Sequence, residues 1–200
     1  GFNEAYRIDQ RYRVAHHGAA MMDPEAAGFV ARPFITPEVG RPTVVWDRDG
    51  VKITSFRVDH APIEPAVGYR FDYAGRSLVI TGDTIQSPEI QRMSEGVDLL
   101  VHEALAPHLV ALMAQAATDA QLTKRAKILN DVLDYHASPV DAAETAQAAG
   151  VGHLLFYHIV PPLILPGMDV AFLEGVDEAY SGDMTLGQDG TRVSLPAGST

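Results

Sequence analysis

Apolar positions along this chain recur first with a helical period, then with the alternation of strands, and then with a helical period again. Residues 1 to about 12 read as a helix whose first face holds Phe2, Ala5, Tyr6 and Asp9. From Arg13 to Pro42 the Gly and Pro residues and the pair His16-His17 predict an irregular connection with room for one strand. Val44-Val45-Trp46, the turn Asp49-Gly50 and Val51 to Val58 then form a hairpin pattern of β-branched and aromatic residues. A second hairpin follows, Gly68 to Tyr73 and Ser77 to Thr81 around Ala74-Gly75, and the unbroken apolar run of its second strand predicts burial on both faces. Asp98 to Val101 predicts a short buried strand.

Residues 106 to about 134 have no interior Gly and a helical recurrence of Ala and Leu, which predicts one or two helices. Ser138-Pro139-Val140-Asp141 supplies an N-cap, a Pro at the first helical position and an acid at the third, and the Ala-rich helix it opens ends at Gly150. Leu154 to Val160 reads as a strand stopped by Pro161-Pro162, and Asp189-Gly190 suggests a last hairpin between Met184 to Leu186 and Arg192 to Ser194. No internal repeat or linker breaks the sequence, so 1–200 is expected to be a single domain.

Composition narrows the function classes. At 46% hydrophobic the chain can bury a core, and its net charge of −11 without a Lys/Arg-rich run makes nucleic acid an unexpected partner. There is no Cys, which excludes disulfides and thiolate metal sites and leaves the compartment, and with it localisation, open. No apolar run approaches the roughly 18 residues a membrane helix needs. The start, Gly1-Phe2-Asn3-Glu4, lacks the regions of a signal peptide and falls inside a helical pattern, so it reads as a cut or processed start.

Three polar residues close strands that are otherwise apolar: His60, Asp83 and His158. Strand ends present groups to a shared cleft, and His with carboxylate is the ligand chemistry of zinc and similar ions. Taken singly, a strand-end His is more often a hydrogen-bonded structural group, and an Asp after Gly more often a turn residue. His16 and His17 are adjacent and cannot form a spaced ligand pair, so they read as loop residues; His108 and His153 read as surface or packing residues, and Met21-Met22 as filler.

The wording around the three strand ends resembles, in chain order, the later motifs of the metallo-β-lactamase fold. His60 followed by Gly68-Tyr69-Arg70 is similar to the third-motif histidine of the ribonuclease Z-like branch, Thr81-Gly82-Asp83-Thr84 to the bridging-aspartate motif, and Phe156-Tyr157-His158 to the final histidine motif. Val101-His102-Glu103-Ala104 resembles the branch's His-Glu-Ala-Thr, and His136-Ala137-Ser138 its His-Ser-Thr, with Leu105 and Ala137 as departures. The resemblance implies an α/β fold of the αββα sandwich type and a site for two divalent metal ions, zinc first. In it His60 serves one ion, His158 the other, and Asp83 bridges them. It also implies that Glu103 orients His136, which assists the departing oxygen. The bland alternative is that Glu103 and His136 only stabilise a strand end and a helix start. His102 is expected to be the structural member of its pair.

The family's His-x-His-x-Asp-His motif has no counterpart here. The chain therefore resembles the C-terminal half of the sandwich, N-terminally incomplete, with 106–134 as a helical insertion. Open strand edges and bare apolar faces are expected, covered by an N-terminal fragment or by a second copy of the chain in a homo-oligomer. The tight hairpin between Gly68 and Thr81 leaves no room for the RNA-binding arm of some ribonucleases Z. The implied activity is hydrolysis of a phosphodiester or related small ester through metal-bound hydroxide, with this chain inactive alone. The alternatives are a tRNA 3′-end endonuclease and a non-catalytic half-domain that binds a partner.

Overall fold

The computed structural model describes residues 1–26 and 32–198. They fall into two compact units, Gly1–Ile35 and Thr36–Thr200. In the first, α1 (Phe2–His17) runs further than its pattern suggests and takes in His16 and His17, which sequence alone placed in a loop. Nothing stops it before Gly18, whose φ of 86° ends the helix while its N–H bonds the Val14 carbonyl at 2.8 Å. Arg11 pairs with Glu4 and Arg13 with Asp9 on the exposed surface, and no residue of α1 is buried. Of the strand allowed between Arg13 and Pro42, the described residues hold only the isolated bridge of Glu38 with Arg41; residues 27–31 of that stretch lie outside the described residues.

The second unit is built on one seven-stranded mixed sheet, in the order β1-β2-β3-β4-β5-β6-β7. The two predicted hairpins are present as β1 (Thr43–Arg48) with β2 (Val51–Arg57) and β3 (Val67–Tyr73) with β4 (Arg76–Ile80). These four strands are antiparallel, and β5 (Leu99–Leu105), β6 (His153–Val160) and β7 (Asp183–Leu186) continue the sheet in parallel. Parallel neighbours need crossovers. These are α2 (Pro88–Met93), then α3 (Pro107–Asp119), α4 (Thr123–Asp131) and α5 (Pro139–Ala149), then α6 (Met168–Phe172) and α7 (Val176–Ala179). The block predicted for 106 to 134 is the pair α3 and α4, which pack on each other, bury Val110, Ala114, Ala117 and Ala126, and are closed by a 3₁₀ turn over Val132–Asp134.

α5 starts and stops where its signals say. Ser138 and Asp141 form a reciprocal capping box, Pro139 occupies the first position, and Gly150 ends the helix at φ 63°. Its buried face is Ala142, Ala143, Ala146 and Ala149, small enough to bring the helix close to Leu100, Leu154 and Phe156. The core lies between this sheet face and α2, α5, α6 and α7, with Phe56, Val79, Ile90, Phe172 and Val176 fully buried.

The opposite face follows from strand alternation. Cross-strand register places Trp46, Ile53, Phe71, Leu78 and Leu99 in one row and Ser55, Tyr69, Ile80, Val101 and Leu155 in the next. Most of these apolar side chains are half-exposed and Trp46 is 41% exposed. This corrects the expectation that β4 is buried on both faces: Val79 is buried on the core side, while Leu78 and Ile80 are not. The tail also differs. β7 pairs in parallel with β6, setting Leu186 beside Phe156, and the described residues after Gly190 form no strand. Instead they reach back to β4, where Arg76 Nε donates to the Pro196 carbonyl. Among the described residues no helix is long and apolar enough to cross a membrane.

Gly68 is a glycine for reasons of space. A Cβ there would lie 2.4 Å from the Phe56 ring, which fills the core across the β2–β3 pair. Gly68→Ala is expected to destabilise the fold by about 1–3 kcal/mol, the usual range for overpacking. Denaturant unfolding measures it; an unchanged midpoint would mean that the Phe56 ring moves aside freely.

Candidate functional site

The five residues singled out by sequence lie together at one end of the central strands. His60 and Asp83 sit on the loops that leave β2 and β4, Glu103 is in β5, and His136 precedes α5. His158 lies within β6, where regular alternation would turn it to the core side with Leu154 and Phe156. A register shift between Glu103 and Ala104 leaves His158 as the extra residue of β6, at φ 45°, and its side chain is 43% exposed and faces Asp83. A bulge of this kind re-aims one side chain without ending the strand.

Asp83 stands between two imidazoles. Its Oδ2 is 4.0 Å from His60 Nε2 and its Oδ1 is 3.6 Å from His158 Nδ1. The turn that carries it needs Gly82, whose φ is 69° and where a Cβ would meet the Val67 carbonyl oxygen at 2.9 Å. Tyr157, next to His158, pairs with Glu103 across β5 and β6. Burial, with the Asp83 charge behind it, pushes the Tyr157 phenol up to about 12, so it stays protonated.

Glu103 is fully buried. Its Oε1 accepts from Thr84 N–H at 3.0 Å, His136 Nδ1 at 2.9 Å and Ala137 N–H at 3.3 Å, while Oε2 has no partner. A carboxylate accepts only, so Nδ1 of His136 carries the proton. Burial pushes the His136 imidazole down, but the hydrogen bond and charge of Glu103, helped by Asp83, outweigh it and leave the ring above its ordinary value. His102, on the core side of β5, is fully buried with Nδ1 bonded to the Glu103 carbonyl, and burial pushes its imidazole down. Four rings close the cluster: His60 and His136 with centroids 5.1 Å apart, His136 and His158 stacked at 5.7 Å, and Tyr135 at 5.1 Å from His60 and 5.0 Å from His136.

Two overlapping ligand sets can be drawn from these residues. Glu103, His136 and His158 each offer an atom within 4.8 Å of the others. Glu103 Oε1 and His136 Nδ1 are already committed to each other, however, and only Glu103 Oε2 and His136 Nε2 stay available. Donors roughly 2.1 Å from one tetrahedral ion stand roughly 3.4 Å apart. The two Asp83 contacts, 3.6 and 4.0 Å, are near that separation and reach two different histidines, so His60, Asp83 and His158 are residues that could hold divalent metal.

Tyr135, Thr84 and Tyr157 were not singled out by sequence. Thr84 and Tyr135 act through main-chain groups, which no residue type signals. The other histidines are structural: His108 Nε2 bonds the Ala171 carbonyl at 2.9 Å, and His153 Nε2 bonds Thr185 Oγ1 at 2.8 Å.

Residues 10–159 match the family model described as beta-lactamase superfamily domain. Ribonuclease Z of Mycobacterium avium (strain 104) is 35% identical over 193 residues, which is 96% of this chain and 61% of that protein. A protein named putative ribonuclease Z from Mycobacterium tuberculosis (strain CDC 1551 / Oshkosh) is 34% identical over 194 residues, 96% of this chain and 76% of that one. The chain thus spans about three fifths of the first relative's length. Human tRNase Z, short form, superposes with a TM-score of 0.50 at 22% identity, over 78% of this chain and 46% of that structure, a likeness of fold.

The Glu103 contact gives a measurable expectation. In Glu103→Gln the charge that raises the His136 imidazole is gone and the effect of burial remains, so its midpoint should fall from above the ordinary histidine value to below it. An NMR titration of the His136 ring reads this directly, and an unmoved midpoint would disprove the assigned cause.

Proposed function

Because the chain belongs to the beta-lactamase superfamily, in the ribonuclease Z-like branch of the metallo-β-lactamase fold, we propose that its site is part of a binuclear metal centre hydrolysing a phosphodiester or a related small ester. The observation that carries this reading is the Asp83 carboxylate, with one oxygen toward His60 and the other toward His158. A carboxylate so placed would hold two cations while offsetting their repulsion. Zinc suits the imidazole and carboxylate donors.

Bound ions of this type polarise the ester and lower the pKa of water at the site. The chain's own residues do the rest. Glu103 fixes the His136 ring through Nδ1, and the raised affinity of that ring for a proton leaves Nε2 able to hold one for the departing oxygen. A further polypeptide segment or a second copy of the chain, packed on the apolar rows from Trp46 to Leu99 and from Tyr69 to Leu155, would supply the remaining ligands.

A second reading is tRNA 3′-end processing, favoured by relatives named ribonuclease Z that match 96% of the chain. Against it stand the net charge of −11 and the two-residue turn Ala74-Gly75 between β3 and β4, where no arm projects. Cleavage of a precursor tRNA, measured beside a chromogenic aryl phosphodiester, separates the two; turnover of the aryl ester alone supports the first.

Asp83→Ala should weaken both ions together in a zinc titration of the assembled protein, and loss of one ion alone would sink the bridging role. His136→Ala should keep its metal while turnover falls by a factor of about 10²–10⁴, the usual scale of a general acid or base. Unchanged turnover would remove His136 from the reaction.

A further inference from the structure

His60 lies three residues beyond the end of β2, on a loop, and a ligand ring on a loop keeps its direction only where something pins it. The pin comes from 75 residues further along the chain: His60 Nδ1 is 2.9 Å from the Tyr135 carbonyl oxygen. A carbonyl accepts and never donates, so Nδ1 carries the proton and Nε2 keeps its lone pair. Nε2 is the atom that faces Asp83 Oδ2. The Tyr135 ring meets His60 edge-on, with an interplanar angle of 84°, and lies tilted against His136. One residue thus braces a candidate ligand by its carbonyl and its ring, and the neighbouring candidate acid by its ring alone.

We propose that Tyr135 is a positioning residue for the metal centre: its carbonyl commits His60 to coordination through Nε2, and its ring fixes where that carbonyl sits. Tyr135 directly follows the turn Val132–Asp134 that closes the α3–α4 block. The helical block is therefore a support for the His60 side of the centre, and its end sets how well that ligand is aimed. The inference rests on His60 being a metal ligand, but its first consequence, the tautomer, exists without any metal.

The test has two parts. Long-range proton–nitrogen correlation on the metal-free chain at about pH 9, above the ordinary imidazole range, should show His60 protonated at Nδ1, with signals assigned by their loss in His60→Gln. A ring protonated at Nε2 overturns the proposal, and this measurement needs no change at Tyr135. In a cobalt(II) titration of the assembled protein, Tyr135→Gly should weaken binding by about 10–100-fold, the range for lost outer partners of a ligand, while Tyr135→Phe stays within about twofold. Equal affinity in the wild type and Tyr135→Gly also overturns it. An assembled wild-type protein that takes up no cobalt would count against the metal centre itself, and the tautomer would still decide the role of Tyr135.

Discussion

A carboxylate with no exposed surface, inside a sheet, has to be compensated on the spot, and Glu103 imposes that requirement on everything around it. Its Oε1 takes donors from Thr84 and Ala137 main chain and from the His136 ring, so three segments distant in sequence must arrive together. Thr84 follows Asp83, and Ala137 follows His136, which follows Tyr135. Satisfying one buried charge thus places the Asp83 turn against the start of α5, and through the Tyr135 carbonyl it also reaches His60. The site's geometry is in large part a consequence of that single desolvated group.

The fold supplies the platform on which those segments meet. Close packing of the alanine face of α5 against β5 and β6 fixes the height at which His136 enters the cleft. The bulge at His158 then solves a problem of parity. An unbroken β6 would send position 158 to the core side, yet the bulge turns it outward beside Asp83 while Ile159 and Val160 resume pairing with Ala104 and Leu105. Gly82 and Gly68 are the matching concessions elsewhere, one to a left-handed turn and one to the Phe56 ring.

What was legible in the sequence was local. Asp49-Gly50 and Ala74-Gly75 marked their hairpins, and Ser138, Pro139, Asp141 and Gly150 marked both ends of α5, because turns and caps are decided within a few residues. The tail hairpin failed because β7 has a better partner in the long β6, with Leu154 and Phe156 buried in the core, than in its own continuation, a choice no local pattern encodes. His16 and His17 were placed in a loop on the strength of their neighbours, although nothing before Gly18 breaks the helix. His60, Asp83 and His158 stood out because polar residues ending apolar strands are unusual by type. Tyr135 did not, since its carbonyl belongs to the backbone and its ring reads as ordinary packing.

The apolar rows on the open face connect this site to whatever covers the sheet. Ile80 lies three residues before Asp83 and Leu155 three before His158, and both belong to the row that also holds Tyr69 and Val101. Burying such a row is favourable, because apolar side chains gathered in a patch gain roughly 25 cal/mol for each Å² removed from water. A layer packed on this row therefore grips the strands that carry Asp83 and His158 immediately below their ends. Under the proposed binuclear centre, a layer that removed Ile80 and Leu155 from water would also stand next to Asp83, His60 and His158, so covering the sheet and completing the ligand set would be one event.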